Sequence, residues 1–311
     1  MYVLRRRTRI EIWAPAKLNL FLEVLGRRAD GFHEMETLMA SISLFDHLTF
    51  TPSEQSDLQL SCRWATRVSN SADVETLPTG QDNLVIRALD ALRQASGVQA
   101  GLSVQLVKRI PTAAGLGGGS SDAAAALVAA NLIWNLNWST QRLSEIAATL
   151  GSDIPYFLWG HAAVCRGRGE IIDPLTTSWR QHLVVIRPPE GLSTPTVFRQ
   201  VEISPTPNRI EPMLACLRGR RDREIASHLF NRLQPAAARV SPWIKRLQSE
   251  FDRLDVQGHQ MSGSGSSYFG LCHSARHANR VSKLLQSRCP GYVFPTRTLP
   301  GVFERCTGSN N

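Results

Sequence analysis

No stretch of this sequence comes near the ~20 consecutive apolar residues a membrane-spanning helix needs, and the arginine-rich start lacks the apolar run of an export signal. Its six cysteines (Cys62, Cys165, Cys216, Cys272, Cys289 and Cys306) include no Cys-x-x-Cys pair and no histidine partner at finger spacing. That pattern argues against a disulfide framework and a structural zinc site, and the expectation is a protein of the reducing cytoplasm with no membrane partner. Lysine is scarce too: only Lys17, Lys108, Lys245 and Lys283 stand among 35 basic residues, which against 26 acidic ones give a net charge of +9. The arginines are scattered, with tight clusters only at Arg5–Arg7 and Arg218–Arg223. A nucleic-acid partner is therefore not expected, whereas a phosphate-rich small molecule would use the same positive bias.

What is there is an ordinary globular composition. Of 311 residues, 42% are hydrophobic and 20% charged, enough to bury a core without staples in one large or two ordinary domains. Residues 9–13 and 17–25 alternate as strands. Leu18, Leu20, Leu22 and Val24 share one face, and Lys17, Asn19, Phe21 and Glu23 the other. A turn at 29–31 precedes more strand over 37–50, and the polar stretch 52–80 reads mostly as surface connection. Apolar spacing predicts helices over 83–95 and 140–150, the second closed by Gly151. A hairpin centred on Gly167-Arg168-Gly169 follows. The pattern resets after about residue 176, with a strand at 183–186, helices near 222–234 and 240–252, a strand at 268–272, a helix at 274–287 and a strand at 292–299. The last few residues read as loose.

The strongest chemical signal is the strand–loop–helix over 102–130. Its loop, Pro111-Thr112-Ala113-Ala114-Gly115-Leu116-Gly117-Gly118-Gly119-Ser120-Ser121, runs into an alanine-rich helix former. Bare glycines let backbone N–H groups close on an anion, the helix start adds its positive end, and the serine hydroxyls can reach phosphate or Mg²⁺. Either Ser120 or Ser121 is expected to cap the helix. The loop is not a Walker sequence, because no lysine precedes Ser120. Nor is it a dinucleotide fingerprint, because Gly115-x-Gly117-x-Gly119 has the wrong spacing. The alternative to a phosphate loop is a mobile linker, which seldom opens straight into such a helix. Read alone, Asp153 before Ile154-Pro155 suits a helix cap as well as a general base, and Lys17 suits a solvated strand.

Four segments in order resemble the GHMP kinase superfamily: the loop at 111–121; Pro15-Ala-Lys-Leu-Asn-Leu20 with Ala29-Asp-Gly-Phe-His33; Gly151-Ser-Asp-Ile-Pro-Tyr-Phe157; and Met261-Ser-Gly-Ser-Gly-Ser-Ser267. Within it they resemble the branch acting on diphosphocytidyl methylerythritol. The resemblance implies an α+β chain with a ribosomal-protein-S5-like N-terminal domain over 1–176 and a ferredoxin-like C-terminal domain over 177–311. It implies ATP and Mg²⁺ as cofactors, with no metal ligand named, and the small-molecule substrate and ATP as partners. The loop residues would hold ATP. Asp153 would be the general base and Lys17 its cationic partner. Asn19, Phe32, His33, Thr194 and Phe198 would contact substrate, with His33 reading the cytosine edge between the Phe32 and Phe198 rings. Phe32 stands where the branch often has Tyr, so it offers a stacking face without a hydroxyl. The third glycine motif would press tight backbone against the phosphate loop or the substrate, and Asn231–Pro235 is assigned no ligand. The alternatives are a kinase of the same superfamily acting on homoserine, mevalonate or a sugar, and a non-catalytic nucleic-acid-binding protein.

Overall fold

Long alternating runs of aliphatic residues make the first half of the chain a sheet wrapped on helices. The computed structural model describes residues 1–65, 76–160, 162–176, 179–299 and 305–306. In chain order its elements open with β1 (Tyr2–Arg5), β2 (Ile10–Arg27), β3 (His33–Ser53), β4 (Leu58–Trp64), α1 (Leu84–Ser96), β5 (Gly101–Lys108), α2 (Gly118–Ile133), α3 (Thr140–Leu150) and α4 (Ile154–Trp159). They continue with β6 (Ala162–Gly167), β7 (Ile171–Pro174), β8 (His182–Arg187), α5 (Thr194–Arg199), α6 (Glu211–Arg218), β9 (Phe230–Asn231), α7 (Gln234–Val240) and α8 (Pro242–Phe251). Last come β10 (His259–Met261), β11 (Tyr268–Cys272), α9 (Ala275–Arg288), β12 (Tyr292–Arg297) and β13 (Arg305–Cys306).

Two sheets result. Nine strands form the first, along the path β13-β1-β2-β3-β5-β4, with β6 and β7 continuing from β3 and β9 joining β2. The second is antiparallel, in the order β10-β11-β8-β12. This is the expected α+β class. Strand β2 is the spine: Ile12 and Ala14 pack under α1 and α2, Leu18 and Leu20 lie in the core between the two sheets, and Leu22 and Val24 reach the core of α7, α8 and α9. Register shifts after Pro15, Asn19 and Val24 let one strand serve all three.

Several expectations are corrected. Within 52–80, Leu58-Gln-Leu-Ser-Cys-Arg-Trp64 is a strand, pairing in parallel with β5; the remainder at 66–75 lies outside the described residues, as do 307–311. The helix expected over 222–234 is a 3₁₀ segment at Asp222–His228, then β9, and α7 starts only at Gln234. Pro235 fits the first turn of a helix and not its interior, and pairing of Phe230 and Asn231 with β2 overrides local propensity. Helices α5 and α6 went unread because both are short and open on proline. Among the described residues no helix is long and apolar enough to cross a membrane.

Candidate active site

A cavity of about 960 Å³ lies where β2, β3, the loop before α2, the turn before α4, the hairpin β6–β7 and α5 converge. The glycine-rich loop forms one wall. Ala113, Gly115 and Gly117 have φ of 48°, 71° and 70°, so alternate residues lie in the left-handed region and turn intervening amides to one side. Helix α2 starts at once, with Gly117 as its cap, and aims its N-terminus at the cavity. This corrects the cap expected at Ser120 or Ser121: glycine at 117 takes the left-handed turn and Gly118 already begins the helix. Three residues further round, Ser121 falls on the packed face of α2, with its hydroxyl buried and lacking a hydrogen-bond partner. Leu116 is buried in the core between the sheets. Ser121 and Leu116 do not line the cavity, whereas Pro111, Thr112, Ala113, Ala114, Gly115, Gly117, Gly118, Gly119 and Ser120 do.

The loop is held by backbone on both sides. Lys17 N–H donates to Leu116 O (2.9 Å), and Ser267 N–H donates to Ala114 O (3.1 Å). Ser262 Oγ donates to Gly115 O (3.1 Å). A Cβ on Gly115 would stand 2.3 Å from Ser262 O and 2.9 Å from Gly265 O, so this contact admits only glycine. The third glycine motif thus packs against the glycine-rich loop. Asn231 holds that motif, donating from Nδ2 to Met261 O (2.8 Å) and Gly263 O (2.9 Å).

Lys17, only 4% exposed, points from β2 into the cavity. Its Nζ donates to Asn19 Oδ1 (2.7 Å) and lies 3.3 Å from Asp153 Oδ2. Asn19 is locked in turn, its Nδ2 donating to Thr37 Oγ1 (2.8 Å), which donates to Phe21 O (2.6 Å). Asp153 occupies the cap position of α4, yet its carboxylate makes no capping bond. It is turned to Lys17, so the cap reading fails on geometry. A carboxylate beside a buried ammonium, next to a cradle of amides, has the layout of a proton acceptor facing a phosphoryl donor.

Below the loop lies a charge cluster that the sequence reading missed. Lys108, 4% exposed at the end of β5, donates to Asp122 Oδ2 (2.7 Å) and to Asp46 Oδ2. Asp46 Oδ1 also accepts from Ile110 N–H (2.9 Å) and from Arg109 N–H. The cluster ties β3, the end of β5 and the second turn of α2 together beneath the loop. Burial pushes the Asp122 carboxyl well above the usual range, against the pull of Lys108 and with the push of Asp46. Burial works against the Lys108 ammonium, but the two carboxylates outweigh it and raise its pKa. The clue was available: Leu102, Val104, Leu106 and Lys108 share one strand face, as do Leu44, Asp46, Leu48 and Phe50, and a charge on an apolar face must have a partner.

At the other end the cavity has an aromatic rim. Phe32 is 49% exposed. The His33 and Phe198 rings lie 5.0 Å apart at 36°. His33 Nε2 is buried without a partner, and burial, with Arg27 adding to it, holds the imidazole below its ordinary pKa. Thr194 Oγ1 lies 2.8 Å from Ser264 Oγ. All these side chains line the same cavity as Lys17 and Asp153.

Comparison with known proteins fits this layout. The family model for the GHMP kinases N terminal domain matches residues 83–161, and that for GHMP kinases C terminal matches 213–291. A protein of Pelotomaculum thermopropionicum named 4-diphosphocytidyl-2-C-methyl-D-erythritol kinase is 39% identical over 287 residues, 92% of this chain and 96% of that one. A crystal structure of a 4-(cytidine 5′-diphospho)-2C-methyl-D-erythritol kinase superposes with a TM-score of 0.77 at 35% identity, covering 94% of this chain and 100% of the other. A homoserine kinase from Cytophaga hutchinsonii shares the fold at a TM-score of 0.71 and 17% identity, over 96% of this chain and 98% of its own.

Proposed function

We infer the function from what the chain is: it belongs to the GHMP kinase family and, within it, to the 4-diphosphocytidyl-2-C-methyl-D-erythritol kinases. It is an ATP-dependent small-molecule kinase. Its acceptor is the 2-hydroxyl of 4-diphosphocytidyl-2-C-methyl-D-erythritol, and the product is the 2-phosphate, a step in the non-mevalonate route to isoprenoid precursors. Residues 1–176 supply the domain bearing the phosphate loop, and 177–311 the smaller one, which lends β9 and β13 to the first sheet. The protein works in the cytoplasm without nucleic acid.

The single observation that carries this reading is the Lys17–Asp153 pair at 3.3 Å, in one cavity with the amide cradle and the aromatic rim. The triphosphate lies along the loop, its charge met by backbone N–H groups and the start of α2. Asp153 accepts the proton of the substrate hydroxyl as its oxygen attacks the γ-phosphorus and ADP leaves. Lys17 neutralises charge on the transferring group, and Asn19 fixes the lysine. The cytosine lies at Phe32, His33 and Phe198, where the unpartnered His33 Nε2 meets the base edge.

Mg²⁺ suits a loop of this kind, because it keeps several waters and is held largely by the nucleotide's own phosphates. It would neutralise phosphate charge, and the Ser120 hydroxyl at the start of α2 is the protein group suited to reach it. The test is ADP release from purified protein with Mg²⁺-ATP and, in parallel, the diphosphocytidyl substrate, homoserine and mevalonate. Turnover with the first alone is expected, and turnover confined to either of the others refutes the reading.

A further inference from the structure

Four arginines line the cavity: Arg27, Arg28, Arg168 and Arg199. They are not equivalent. Arg28 is committed to Asp30 (3.1 Å) and Glu34 (2.7 Å). Arg199 donates to Thr196 (3.1 Å) on its own helix. Arg27 is exposed. Arg168 alone is both largely buried, with its side chain 25% exposed, and placed between the two ends of the site.

Its position is set by the hairpin tip. Gly167 and Gly169 flank it with φ of 72° and 116°, conformations a side chain would resist. On one side the Arg168 guanidinium carbon stands 4.8 Å from the centroid of Phe32. On the other, a Cβ on Gly169 would lie 3.8 Å from both Asp153 Oδ1 and Ser152, so the same turn abuts the candidate base. Two long contacts hold the guanidinium plane: Nη2 donates to Ala148 O at 3.3 Å, and Nε lies 3.5 Å from Glu170 Oε1. The other Glu170 oxygen is taken by the Arg168 backbone N–H at 2.6 Å. Most of the five donors are left over, Nη1 among them.

We propose that Arg168 is a specificity-determining residue that grips the diphosphate linker of the substrate while lying on Phe32. The inference rests on the substrate reading above, which requires a nucleotide base at the rim, an alcohol at Asp153 and a diphosphate between them. A planar guanidinium stacked on a ring presents its remaining edge as a fork, and that edge matches phosphate oxygens in pairs. Because Arg168 also touches the base-stacking ring, binding the linker sets the spacing between the base and the reacting hydroxyl.

Calorimetry with two probes, cytidine and cytidine 5′-diphosphate, tests this apart from catalysis. The wild-type protein is expected to bind the diphosphate about tenfold or more tighter than cytidine. Arg168→Ala abolishes most of that difference and leaves cytidine affinity within about threefold, and Arg168→Lys restores part of it. In turnover, the KM for the diphosphocytidyl substrate rises about tenfold or more in Arg168→Ala, with the KM for ATP within about threefold. Parallel weakening of both probes would mean that Arg168 only supports Phe32, and tighter binding would mean that it covers the ring; either overturns the proposal, as does unchanged binding of the diphosphate. If the wild-type protein binds neither probe, the substrate reading itself falls.

Discussion

Lys17 Nζ and Asp153 Oδ2 stand 3.3 Å apart, although one residue sits midway along an 18-residue strand and the other precedes a six-residue helix. Neither is placed by its own segment alone. β2 buries the lysine stem among core residues, and the short turn Gly151–Asp153 carries the carboxylate across to it.

Asp153→Asn and Lys17→Ala are each expected to lower kcat about a hundredfold or more, the usual scale for a lost general base or a lost charge at the transferring group. The Asp153 side chain is 30% exposed, so Asp153→Asn should melt within a few degrees of wild type. Coupled ADP release at saturating ATP, beside thermal melts, reads both. Wild-type kcat in both variants would remove the pair from the chemistry.

The cluster under the glycine-rich loop predicts unequal costs for similar substitutions. Asp46 accepts two backbone N–H groups as well as the lysine, whereas Asp122 accepts from the lysine and burial pushes its carboxyl up. Asp122→Asn is then expected to cost under about 1 kcal/mol, whereas Asp46→Asn and Lys108→Met each cost about 3–5 kcal/mol, the scale for breaking a buried pair. Urea unfolding monitored by fluorescence decides. Equal losses at the two aspartates would show that the backbone N–H groups bonded to Asp46 do not set the cost.

His33 gives a pH dependence with a definite sign. Its pKa in the folded protein lies below the ordinary ~6.5, so the unfolded chain takes up the proton first as pH falls. Its share of stability is therefore present above ~6.5 and is lost on acidification below it. The neutral ring is also the form that can accept from a base edge. The KM for the cytidyl substrate should stay level from about pH 8 to 6.5 and climb only below that, while His33→Gln gives a flat profile at a higher KM. A KM for ATP that climbs in step would place the titration elsewhere.

Much of this site could be read from residue order. The alternation of 17–25 put Lys17 and Asn19 on one face, and they are hydrogen-bonded there. The glycine motifs at 111–121 and 261–267 were visible as strings, though not that one lies on the other. What escaped reading depended on tertiary pairing. Phe230 and Asn231 are a strand only because β2 offers them an edge, and the cap of α2 sits at Gly117 because the loop must turn left-handed there. Lys108 looked like a strand's last polar residue until Asp46 and Asp122 came in from two other elements. Arg168 looked like a turn residue because nothing local ties Gly-Arg-Gly to Phe32.

The backbone seam between Gly115 and Ser262–Gly265 has a consequence for recombination. A chimaera joining the front of one relative to the back of another would bring together peptide surfaces shaped in separate lineages, at the point with least room for error. Crossovers that keep residue 115 and residues 262–265 from a single parent should yield working hybrids far more often than crossovers that divide them, wherever the junction falls in the intervening chain.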